Sequence, residues 1–80
     1  MTNNFQSPTR DKQAMNSVHS AHDAVVQAQS HPDENMIGQA ERAIRHADAA
    51  VAQAMDGENT QGAELAAERL EEDRRALEEL

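Results

Sequence analysis

Eighty residues carry fifteen carboxylates against seven lysines and arginines, giving a formal net charge of −8, and there is no cysteine. Disulfides and thiolate metal sites are thereby excluded, and an acidic chain repels phosphate backbones and anionic lipid, so direct nucleic-acid or membrane binding is not expected. The apolar fraction of 38% contains much alanine and a single aromatic, Phe5.

The segment Met1–Ser7 is polar and unperiodic, and it is expected to be mobile, with Phe5 folding back onto the open end of the domain or anchoring a partner. Ser7-Pro8 marks the start of a first helix, with serine as cap and proline at the first helical position, where its missing N–H costs nothing. Asp11 suits the positive end of the helix dipole. Ala14, Val18, Ala21, Val25 and Ala28 then recur at spacings of four and three, a stripe of small residues along one face to about residue 30.

Ser30-His31-Pro32-Asp33-Glu34 is a break followed at once by a start: His31 precedes proline, Pro32 suits the first helical position, and Asp33 and Glu34 place carboxylates over the first unpaired amides. So short a link turns the second helix back along the first. That helix, about 32–56, organises the chain. Its stripe is Ile37, Ala40, Ile44, Ala47, Val51 and Ala54, and a second row through Met36, Ala43 and Ala50 widens it enough to meet two neighbours. Gly38 lies inside the helix, where it marks a place for another backbone to pass close. Asp56-Gly57 ends the helix, with glycine suited to a left-handed cap.

Asn59 or Thr60 can cap a third helix over about 60–79, whose stripe is Ala63, Ala66, Leu70, Leu77 and Leu80, with Leu65 and Ala67 beside it. The stripe is interrupted at Asp73-Arg74, so the last two turns are expected to be the least firmly docked. Glu71 to Arg75 and Arg74 to Glu78 sit at the four-residue spacing of surface ion pairs. The expected fold is all-α: one antiparallel up-down-up three-helix bundle with alanine-rich seams and a mobile N-terminal tail. Alanine seams bury little area per residue, so a monomer is marginal and homodimer formation is a natural remedy.

Little here suggests chemistry. His19 and His22 are three apart, but His46 turns outward two residues after Ile44, so no metal site is expected. The serines lack a supporting His-Asp arrangement, Gly38, Gly57 and Gly62 form no phosphate-cradling loop, and the carboxylates are solvated. The chain is read as non-enzymatic, with no cofactor. The likeness of His19–Gln29 to Arg45–Met55 is one of composition and not a solenoid repeat.

Three stretches together carry a family resemblance: A-M-N-S-V-H-S-A-H-D-A-V-V-Q-A (14–28), E-R-A-I-R-H-A-D-A-A-V-A-Q-A (41–54) and A-E-R-L-E-E-D-R-R-A-L-E-E-L (67–80). In helix order, composition and the break near residue 31, residues 14–80 resemble a family of small cytosolic proteins of unknown function from spore-forming Bacillus-type bacteria. The resemblance implies a bacterial cytosolic protein with no assigned activity, and it carries over no site residues. The absence of a signal peptide or of an apolar run long enough to span a bilayer points to the cytoplasm as well.

The function expected from the residues is a helical protein–protein interaction or regulatory module with an acidic face. The candidate face is Glu68, Glu71, Glu72, Asp73, Arg74 and Glu78 on the third helix. The rival reading is an antitoxin-like or DNA-mimicking inhibitor that sets carboxylates where phosphates would lie. A histidine-based metal binder is a third.

Overall fold

The computed structural model describes residues 7–57 and 60–80. Phe5 and Asn59, with the roles expected of them, lie outside that range. Three helices follow one another: α1 (Ser7–Ser30), α2 (Glu34–Met55) and α3 (Gln61–Glu78). Each packs on the other two, and the α1–α2 seam is the most extensive. Among the described residues no helix is long and apolar enough to cross a membrane.

The direction of each helix can be read from pairs of neighbours. Asp11 lies against Gly62 and His22 against Asp73, an offset of 51 residues both times, so α1 and α3 run parallel. Asp48 meets Arg74, while Glu41 shares a groove with Leu77 and Glu78, so α2 runs antiparallel to α3. The bundle is therefore up-down-up.

Burial follows the stripes. In α1, Ala14, Val18, Ala21, Val25 and Ala28 are all buried; in α2, Ala40, Ile44, Ala47, Val51 and Ala54; in α3, Ala63, Ala66 and Leu70. Met36, Ile37, Ala43, Ala67 and Leu77 pack against this core while partly exposed. Leu80 departs from the expected stripe. It falls past the last turn of α3, has no following turn to hold it against α1, and stays exposed.

The helix ends differ from expectation in detail. Asp33, not Pro32, sets the start of α2: its backbone is extended, and its carboxylate accepts the Met36 N–H at 2.9 Å. That leaves Pro32 outside the helix, where it restricts the turn, and puts Glu34 in the first turn. At the other end, Asp56 and Gly57 donate to Gln53 and Ala54, tightening the last turn by three-residue bonds. Gly57 does not take up a positive φ, so the left-handed cap is not formed. Thr60 precedes α3 without a side-chain cap, its hydroxyl donating instead to Glu64.

The close approach expected at Gly38 occurs elsewhere. A Cβ built at Gly38 would meet only Arg42 Nη1, at 3.7 Å. One built at Gly62 would lie 2.9 Å from Asp11 Oδ2 and 3.1 Å from its Cγ. Gly62 sits in the first turn of α3, so the missing side chain lets the Asp11 carboxylate rest against the positive end of that helix.

Candidate functional site in the α1–α3 groove

The interruption in the α3 stripe turns out to organise the site. Residues 63, 66, 70, 73 and 77 are spaced three, four, three and four, so helix geometry carries Asp73 to the core face whatever its charge. It is buried, with 6% of its surface exposed. Such a carboxylate requires a donor, and the parallel offset supplies one: His22 lies level with it, and Nδ1 stands 2.8 Å from Asp73 Oδ1. With the Nδ1 proton donated to Asp73, the other ring nitrogen is free to accept from the solvent side. Asp73 Oδ2 is buried and has no hydrogen-bond partner among the described residues.

Around this pair α1 and α3 leave a groove of about 530 Å³. Met15, Val18 and Leu65 give one end an apolar lining, and Leu65 is 45% exposed there. Glu72, His22 and Asp73 line the other end, with His19, Glu68 and Arg69 between. The lining holds three carboxylates to one guanidinium, so the groove is acidic overall.

The six residues expected to form one acidic face are divided. Glu68 and Glu72, four apart, share the α1–α3 groove. Glu71, Arg74 and Glu78 lie around the helix on the α2 side, where Arg74 and Glu78 line a second groove of about 340 Å³ with Glu41, Arg45 and Asp48. Asp73 is turned into the core and reaches the α1–α3 groove only as a buried part of its wall.

Arg74 also departs from its expected pairing with Glu78. It donates to Asp48 of α2 at 2.5 Å and to Glu71 at 2.9 Å, since α2 brings a second carboxylate within reach. The Asp48 hydrogen bond raises the Arg74 guanidinium above its ordinary value, against a smaller opposing effect of burial. Arg75 stands 3.8 Å from Glu71, the expected four-residue pair.

His46 is exposed on α2, away from the groove. Among the described residues, no three histidine or carboxylate side chains come together in a way that could hold a metal ion. Sequence reasoning noticed the interruption at Asp73 but missed His22 as its partner. The available signal was the continuing spacing through position 73, which called for a donor on a neighbouring helix.

The class defined by these features is an all-α three-helix bundle with one polar-ended groove between its parallel helices. No family model, curated protein or solved structure matches the chain. The reading of the site accordingly rests on its own geometry.

Proposed function

We propose that this chain is a non-enzymatic helical protein–protein interaction module of the cytoplasm that engages its partner through an acidic surface on α3. The observation that carries this reading is the α1–α3 groove, concave, apolar at one end and bordered by Glu68 and Glu72. In a core made mostly of alanine, a leucine left in such a groove is area that a partner can still bury.

Nucleic-acid mimicry has less support. A mimic needs a continuous array of acids on one face, whereas here the acids of α3 divide between two grooves and the core, and Arg74 sits among them, paired with Asp48 and Glu71.

The test is cross-linking and affinity capture from a bacterial lysate, comparing the native chain with one in which Glu68, Glu71, Glu72 and Glu78 are all glutamine. Light scattering across a hundredfold concentration range is run in parallel. A protein held by the native chain and lost by the variant is the expected result. A chain that is monomeric throughout and captures nothing the variant does not capture would refute the proposal.

A further inference from the structure

The groove has a built polar end with one acceptor unused. The Asp73 side chain is more than nine-tenths buried, and its Oδ2 accepts nothing from the described residues, although Asp73 forms part of the groove wall. Beside it the His22 side chain is 56% exposed, on the solvent side of the pair. We infer that the α1–α3 groove is the docking site for a basic amphipathic helix of a partner protein, which sets an apolar side chain on Met15 and Leu65 and delivers a lysine or arginine to Glu72 and Asp73.

This deepens the interaction-module reading and rests on it. Two parallel helices form a straight trough, and a trough of this kind takes a third helix along its length. From Met15 to His22 is seven residues, or about 10 Å along the axis. A partner helix spanning that length therefore presents its apolar and basic residues seven positions apart.

Lysine and arginine suit the acidic end because a long alkyl stem carries the charged head from the partner helix down to Glu72 and Asp73. A cationic head that displaces the His22 ring takes over its bond to Asp73 Oδ1 and brings further N–H donors for Oδ2, which has none among the described residues. A lone metal ion or small ammonium would leave the Met15–Leu65 end uncovered. A second copy of this chain fits less well on charge, since each copy carries −8.

The experiment selects a displayed library of random 18-residue peptides, built on an alanine- and glutamine-rich helical background, against the intact 80-residue chain. Enriched peptides should carry lysine or arginine seven positions from a leucine, isoleucine, methionine or phenylalanine. They should bind at least tenfold more weakly to Glu72→Arg and to Asp73→Leu, with both variants retaining the native helical circular dichroism. Amide shifts on peptide addition should centre on Met15, Leu65 and His22.

No enrichment, enrichment without a basic residue, or binding that ignores both variants would overturn the assignment. So would dimerisation of the free chain that Leu65→Asp abolishes, because a second copy would then own the groove. Peptides that map to the Glu71–Glu78 side would overturn this placement and leave the broader interaction reading standing.

Discussion

Replacing Asp73 by leucine should make the protein more stable, although it removes the hydrogen bond to His22 at 2.8 Å. The substitution deletes a buried oxygen with no partner, which relieves about 1–3 kcal/mol. It also places a branched apolar side chain in the stripe between Leu70 and Leu77, worth about 2 kcal/mol when well buried. Against these stands the lost hydrogen bond, about 1 kcal/mol, and some crowding, since leucine is the larger residue. The adjoining groove offers room for the added volume, and His22, already more than half exposed, returns to water at little cost. The net gain should be about 2 kcal/mol, within the range seen when buried ion pairs give way to apolar residues. For a domain of this size that raises the melting temperature by roughly 8–16 °C.

Removing the other partner has the opposite sign. His22→Ala leaves both Asp73 oxygens without donors and should cost about 1–3 kcal/mol, whereas the same change in an Asp73→Leu background should lie within about 0.5 kcal/mol of neutral. Urea titration followed by circular dichroism, on the four members of this cycle at pH 7, measures all of these. A lower midpoint for Asp73→Leu, or an equal effect of His22→Ala in both backgrounds, would refute the account of the pair.

Three further outcomes follow from the helix ends and glycines. Gly38→Ala should stabilise by up to about 1 kcal/mol, because the added methyl meets only Arg42 at 3.7 Å and the position is inside a helix; the urea midpoint should rise with an unchanged slope. Gly62→Ala forces Asp11 aside, so it should be near neutral in the native chain and stabilising in an Asp11→Ala background, a coupling that a double-mutant cycle resolves. Asp33→Ala removes the acceptor of the Met36 N–H and should cost about 1 kcal/mol, with faster amide exchange confined to the first turn of α2.

The fold was legible because period and burial coincide. Val18, Ile44 and Leu70 each belong to a stripe, and each is buried. The link at His31–Asp33 likewise announced an antiparallel turn, although which residue served as cap depended on the backbone angles of Asp33.

The site was harder to read because its pieces come from different helices. The spacing of its own helix turns Asp73 inward and Glu72 outward, but only the 51-residue offset between parallel helices brings His22 level with Asp73. The same holds for Arg74, whose choice of Asp48 over Glu78 is settled by how α2 crosses, and for Gly62, whose closeness to Asp11 has no trace within either segment. A period of 3.6 residues tells which side of a helix faces inward. It does not tell which residue of another helix waits there.

Eight of the thirteen buried apolar residues, from Ala14 to Ala66, are alanines, and this makes those positions vulnerable in one direction only. At those eight positions truncation can remove no more than a methyl group, while nearly every other replacement adds atoms between backbones that already approach closely. Glycine and serine are the only changes of similar bulk. A survey of random variants should therefore find damage scaling with added volume at these positions and with lost volume only at Val18, Val25, Ile44, Val51 and Leu70. The spacing of the three helices is in this sense held by what the side chains lack, and a gain in size at those alanines pries the bundle apart.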